Sequence, residues 1–421
     1  MTSEPLMNNL FNPKESQLHI NREHDLFTKL PSFILYAKQN SPYYKNILAD
    51  ITADKITNRE QLATLPITRK SSLISLQRTA SPLAGLNSEQ GHISRLFQSP
   101  GPINDPENCE NDWWRMGQAF YAAGFREHDK VQNCLSYHLT PGGFILDSGA
   151  RACGCIVIPA GPGQTEQQLD TIEGLKPQGY CGTPSFLKIL LNKARQQKRD
   201  ISSITKALVT GEALPKALRD EFTAAGINTL QAYASADVGL IAYESIADDG
   251  LIIAEDLIVE IVRPGSLEPV ADGEVGEVVV TSFNHDYPLI RFATGDLSAI
   301  KSGQSTCGRT NLRIKGWMGR ADQTTKIKGM FVHPEQVERV RLSVSGIAKV
   351  RLNVTSESHN DKMHLLCELS TNANNADTTT LQNTLIENLK LYTKLNGSVE
   401  LVSPGTLNDD GKVIDDLRAT C

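Results

Sequence analysis

Between residues 113 and 224 the chain alternates short apolar runs with amphipathic ones, and this pattern constrains the fold more than any other feature of the sequence. Strand-like runs at 131–137, 155–159, 179–181 and 207–210 alternate with helical periods at 164–175, 185–196 and 214–224. An aromatic helix carrying Trp113, Met116 and Phe120, opened by Asn111 or Asp112 as cap, precedes them. Repeated βα units predict an α/β fold with a mostly parallel sheet covered by helices, because parallel neighbours need a long crossover and the helix supplies it.

After Tyr233 the period changes. Runs at 251–262, 277–281 and 297–300 read as strands separated by Gly and Pro turns, a smaller mixed sheet or barrel. From Gly319 onward, strand candidates at 350–354 and 364–368 flank helices at 334–342 and 380–394, and the Asn/Thr-rich stretch 371–379 reads as a surface loop. Ahead of the alternating region lies a helical lead-in, periodic over 26–37 and punctuated by Pro42, Pro66 and Pro82. The expected organisation is a large N-terminal α/β domain over residues 1–318, with a small β subdomain from about 240, and a small C-terminal α+β domain over 319–421.

Charge and composition exclude several function classes. The 42 Lys and Arg are outnumbered by 48 Asp and Glu, giving a net charge of −6 without a basic block, which argues against nucleic acid as a partner. No apolar run approaches the ~20 residues of a membrane helix. The polar stretch 1–14 lacks the basic-then-apolar pattern of a leader, so a cytoplasmic protein is expected. Eight cysteines are scattered without disulfide spacing, and the nearest pair, Cys153 and Cys155, sits in an apolar stretch; reduced thiols are expected.

In sheets of this kind, chemistry gathers where polar residues follow apolar strands. Four groups qualify. Gly211, Glu212 and Ala213, with Tyr233, Ala234, Ser235, Ala236, Asp237 and Gly239, form two strand-end segments of small residues, each with a carboxylate, where backbone and an aromatic ring can approach a flat base. Arg291 to Asp296 ends in a carboxylate able to accept from a cis-diol. Gly316 to Gly329 is a charged border segment, and Gly411-Lys412 puts a cation beside a flexible residue. Taken singly, each reads as a turn, a cap or a solvated lysine. Their order is what singles them out.

Thr183-Pro184-Ser185, Gly211-Glu212-Ala213, Tyr233 to Gly239, Arg291 to Asp296, Cys307-Gly308-Arg309-Thr310, Gly319-Arg320 with Asp322, Pro334 with Val337-Glu338, and Gly411-Lys412 stand in the order and approximate spacing of the phenylacetate-CoA ligases. The chain resembles that family, within the adenylate-forming superfamily, over about residues 96–418. The resemblance implies the adenylate-forming fold and an ATP-dependent, AMP-forming acid–thiol ligase acting on an aromatic or other small carboxylic acid, with ATP, Mg²⁺ and CoA. It implies that Gly211 to Ala213 and Tyr233 to Ala236 line the adenine and acyl pockets, that Asp296 holds the ribose hydroxyls and that Arg320 contacts the nucleotide. Asp322 is then the hinge of the mobile C-terminal domain, Lys412 the adenylation lysine and Gly329 a contact of the pantetheine thiol. Tyr137, His138, Gly142 and Gly143 fall where the family lines its acyl pocket, and a homodimer is compatible with the resemblance.

The chain departs from the family at three places. The phosphate loop, approximately Ser-Ser-Gly-Thr-Thr-Gly-Lys-Pro, here runs from Ser99 through Pro100, Gly101, Pro102, Ile103, Asn104 and Asp105 to Pro106, so both threonines, the second glycine and the lysine are lost. Two added prolines also remove backbone donors from a loop that normally supplies them, with Asp105 near the expected phosphate. Asp237 replaces the family's Mg²⁺-holding glutamate, one methylene shorter. Of the Cys/His cluster seen in some relatives only Cys307 is left, beside Glu244, Ser245, Gly250, Leu251, Ile252, Ser305 and Thr306, so no zinc is expected. Two other functions stay open: transfer of the acyl group to a carrier protein or protein thiol, and a non-catalytic protein that binds nucleotide or acyl-adenylate.

Overall fold

The computed structural model describes residues 10–99, 102–321, 323, 325–328, 330–357, 360–371, 378–408, 410 and 412–418. The expected hinge Asp322 and the site candidates Gly101 and Gly329, like Gly411, lie outside these residues. The chain packs as two units, one of Met1–Val259, Val280–Phe292 and Ile300–Trp317, the other of Glu260–Val279, Ala293–Ala299 and Met318–Cys421.

In the first unit a nine-stranded sheet carries the βα alternation. Its parallel half runs Ile156–Pro159, Lys130–Asn133, Gly179–Gly182, Lys206–Val209, Asn228–Ser235, and the antiparallel half continues through Gly239–Tyr243, Leu251–Ile253, Arg313–Ile314 and Ile300–Lys301. Asn228–Ser235 belongs to both halves, so the change from helical to alternating period coincides with a change of pairing. Helices Gly142–Ala152, Thr165–Leu175, Pro184–Gln197 and Lys216–Ala224 are the crossovers, and the last three bury their apolar stripes, through Leu169, Ile172, Leu187, Leu190, Leu191 and Phe222, in one cluster with Tyr180 and Val209. Three such helix faces outweigh the weak propensity of each segment taken alone.

Some elements differ from expectation. The helix expected to open at Asn111 or Asp112 begins only at Gly117, because Asp112 and Arg115 adopt positive φ (51° and 63°) and the Asp112 carboxylate accepts the Gly117 N–H at 2.9 Å. The expected strand over 251–262 breaks at Asp256, also at positive φ, into Leu251–Ile253 and Leu257–Val262. The lead-in helix is longer than its periodicity suggested, His19–Asn40, with Pro31 inside it. Arg95–Ser99 pairs antiparallel with Ile103–Glu107 in a two-stranded ribbon to which no periodicity pointed.

The second unit contains a four-stranded sheet. Ile347–Glu357 and Asn360–Leu369 form its antiparallel centre, and Ser398–Val402 and Ile414–Asp416 add parallel edges. Helices Pro334–Leu342 and Thr378–Thr393 cover it around Val337, Val340, Leu352, Leu365, Leu385 and Leu389. The C-terminal edge strand is fixed by Gln323, whose Oε1 accepts the backbone N–H groups of Val413 (2.6 Å) and Ile414 (2.8 Å).

Candidate active site

The strand-end segments of the first unit are accessible while the strands feeding them are buried. Lys206–Val209 ends in a buried run, and Gly211, Glu212 and Ala213 beyond it are exposed. Tyr233, Ala234, Ser235 and Ala236 are half-buried at the hairpin between Asn228–Ser235 and Gly239–Tyr243. Glu212 does local work: it accepts from the Ser185 hydroxyl at 2.9 Å and the Ser185 N–H at 3.3 Å, at the start of helix Pro184–Gln197, whose N-cap Thr183 accepts from Phe186. The carboxylate thus sits where the helix dipole favours negative charge. The turn after Ser235 is held by the Ser235 hydroxyl, which accepts the Val238 N–H at 3.1 Å, and by Arg115, which donates to the Val238 carbonyl.

Residues not read from the sequence surround the acyl-pocket candidates. The Tyr137 hydroxyl accepts from Asn133 Nδ2 at 2.7 Å and donates to Asp147 at 3.1 Å, and Asp147 is paired with Arg151 at 2.6 Å. The Tyr137 ring packs edge-on against Phe144 (centroids 5.1 Å), Phe144 against Phe97 (5.3 Å), and Phe97 against Trp114 (6.2 Å). Gly143 is required by this packing, since a Cβ there would lie 2.8 Å from both the Ser136 carbonyl and the Tyr137 ring. Gly142 begins the same helix, and His138 is exposed, its N–H donating to Ser136. Contacting rings 7, 47 and 17 positions apart carry no periodic signal, which is why the row was not legible.

Ser99 is buried and donates to the Ile103 carbonyl at 3.3 Å across the ribbon. Asp105, on the facing strand, turns inward. Both of its carboxylate oxygens are buried without a hydrogen-bond partner among the described residues. Burial is the main reason its carboxyl is pushed up to about 8, and the negative charge of Asp237 adds to that; Ser99 and the Lys70 ammonium pull back only in part. Asp237 is equally buried, its Oδ2 held by Lys70 Nζ at 2.5 Å and its Oδ1 unpartnered among the described residues.

That pairing bears on Mg²⁺, which the resemblance assigns to Asp237. A divalent ion bound to this carboxylate would lie ~4 Å from the ammonium, a repulsion of roughly 8 kcal/mol at an effective dielectric of about 20. With Lys70 in place the residues do not fit the ion, and no step is derived through it.

In the second unit the structure brings Asp296 and Arg320 together. They face each other in an isolated antiparallel bridge, and Arg320 Nη1 donates to Asp296 Oδ1 at 2.9 Å. Backbone bonds on either side, Leu297 N–H to Gly319 and Ala321 N–H to Gly295, fix the register. Gly295 lies at φ +77°, and a Cβ there would come within 2.8 Å of the Arg320 guanidinium. Lys412 lies elsewhere in that unit. Its Nζ contacts Asp415 at 3.2 Å, and it borders a small cavity with Arg263, Glu274, Arg341, Lys349 and Arg351. Of the residues at the vestigial cysteine cluster, Glu244 is buried in a two-pronged pair with Arg219 (2.8 and 3.0 Å), and Cys307 accepts from the Ser305 hydroxyl.

Comparison with known proteins covers both units. Residues 109–284 match the family model described as AMP-binding enzyme, and 329–416 the AMP-binding enzyme C-terminal domain. The phenylacetate-coenzyme A ligase of Pseudomonas putida is 30% identical over 413 residues, 93% of this chain and 92% of that protein. The phenylacetate-coenzyme A ligase of Thermus thermophilus is 29% identical over 362 residues, 81% of this chain and 80% of its own. Among solved structures, a 2-hydroxyisobutyryl-CoA ligase in complex with 2-HIB-AMP and CoA superposes with a TM-score of 0.70 at 21% identity, over 99% of this chain and 94% of that one. This last likeness establishes the adenylate-forming architecture.

Proposed function

The chain belongs to the phenylacetate-coenzyme A ligase family of AMP-binding enzymes, and we propose that it activates an aromatic or other small carboxylic acid with ATP and passes the acyl group to CoA. As an adenylate-forming acid–CoA ligase it runs two half-reactions. The acid carboxylate attacks the α-phosphorus of ATP and expels pyrophosphate; the CoA thiol then attacks the acyl carbon and expels AMP.

The observation that carries this assignment at the residue level is the Asp296–Arg320 pair. Arg320 donates to Asp296 Oδ1 and an isolated backbone bridge holds the two residues face to face, which supports reading the carboxylate as a partner for a ribose diol. Lys412 fits the role of neutralising charge that builds on the α-phosphate oxygens. Its half-exposed contact with Asp415 is worth under about 1 kcal/mol, so it is cheaply exchanged for a phosphate oxygen. The row Tyr137, Phe144 and Phe97 supports a planar or compact acyl group. ATP and CoA as co-substrates accord with a cytoplasmic enzyme.

Pyrophosphate release and thioester formation across a panel of acids test the proposal. At least one acid should give both, and Lys412→Ala should slow the adenylation step roughly 100- to 1000-fold. No AMP or pyrophosphate above the Lys412→Ala background with any acid would remove ligase activity. The altered phosphate loop favours a second reading, a nucleotide-binding protein without turnover. Calorimetry separates them, since tight AMP with negligible ATP binding supports the second, and ATP binding with turnover supports the first.

A further inference from the structure

The Asp237 pocket holds more charge than the adenylation chemistry uses. Lys70 enters it from the first turn of helix Lys70–Thr79, Asp105 from strand Ile103–Glu107, Asp237 from the turn after Ser235, and Tyr287 from the segment before Leu289–Ser298. A cation at a helix N-terminus opposes the helix dipole, so this position of Lys70 needs a compensating partner. The partner is a carboxylate with its side chain fully buried, while the Lys70 side chain keeps about a fifth of its surface exposed. Lys70 therefore carries its ammonium to a buried carboxylate while part of its stem stays in solvent.

Around it, both oxygens of Asp105, Oδ1 of Asp237 and the hydroxyl of Tyr287 are buried without a hydrogen bond among the described residues, and Tyr287 is 1% exposed. Two carboxyl groups and a phenol, near enough to act on one another's charge, make an oxygen set for a hard cation. The position beside Asp237 that such an ion would take is filled by the chain's own ammonium.

We propose that Lys70 is the resident cation of this pocket, a built-in counter-charge that stands where a divalent ion would bind and keeps Asp237 from binding one. Lys70 is then a positioning residue. It fixes the Asp237 side chain, and through it the turn that follows Tyr233 to Ser235. Removing the ammonium while keeping its hydrophobic stem should turn the same carboxylates into a divalent-cation site.

The test is an EPR titration of the full-length, nucleotide-free protein with Mn²⁺ alone, independent of whether any acid is a substrate. Wild type and Asp237→Asn should give superimposable titrations. Lys70→Met should gain a single site at least ~10-fold tighter than any in the wild type, and Lys70→Met/Asp105→Asn should lose it. The proposal is overturned if wild-type Mn²⁺ binding falls on Asp237→Asn substitution, or if a folded Lys70→Met, checked by circular dichroism, binds no more Mn²⁺ than wild type. Should Lys70→Met not fold, the wild-type and Asp237→Asn comparison decides alone.

Discussion

At the scale of single residues, burial decides which charged groups are structural. Arg291 belongs to the stretch that ends in Asp296, yet it is fully buried and donates to the carbonyls of Ala63 (2.6 Å) and Leu65 (2.7 Å). Arg291→Met should leave both carbonyls without that donor and destabilise the protein by about 3 kcal/mol, read as a lower urea midpoint with unchanged slope. Asp112 gives a pH signature. Burial raises its carboxyl to about 6, against a weaker opposing effect of the Gly117 N–H. The folded chain then holds this proton more tightly than the unfolded chain, so between roughly pH 4 and 6 stability falls as pH rises. Asp112→Asn keeps the acceptor and removes the ionisation. Unfolding followed from pH 4 to 7 should show the wild type losing up to about 3 kcal/mol relative to the variant, most of it below pH 6. Lys70 shows what the sequence hides at this scale: its partner Asp237 is 167 positions away, and no spacing rule links them.

At the scale of elements, amphipathic helices were legible because burial acts on a whole face. Residues 334–342 were expected as a helix and form one, Pro334–Leu342, with Pro at its first position and Val337 and Val340 in the core. The aromatic segment after Asn111 was misread because two left-handed residues delay the helix, and left-handed Asp and Arg leave no mark in hydrophobic periodicity. The lead-in is held by buried ion pairs within the first unit: Glu15 with Arg309 (2.6 Å) and Arg22 with Glu255 (2.9 Å). Arg309 belongs to the Cys307-Gly308-Arg309-Thr310 motif, so part of that motif serves to anchor the N-terminal segment. Glu15→Gln should strand a buried guanidinium and cost about 3 kcal/mol. Limited proteolysis should then cut within residues 10–25 faster than in the wild type, whereas equal cutting rates would show that the pair does not hold the segment.

At the scale of the whole molecule, the order of motifs was the most informative signal, because each alone reads as a turn or a cap and only their sequence points to a nucleotide. The helix-covered parallel sheet followed from the βα alternation, and the adenylate-forming architecture implied by the resemblance is the one found by structural comparison. Motif order pointed to Asp296 and Arg320, 24 positions apart, as two nucleotide contacts but not to their direct pairing, and the inward turn of Asp105 could not be read, since a two-residue period fixes a face only once the ribbon's packing is known. The ribose of an adenine nucleotide is the proposed partner of Asp296. Calorimetry with AMP and 2′,3′-dideoxy-AMP on wild type and Asp296→Asn tests it most directly. Losing a charge-assisted bond to the hydroxyls should weaken AMP roughly 10- to 100-fold in the variant and leave the dideoxy analogue bound equally by both proteins. Equal losses for the two nucleotides, or none for either, would contradict it.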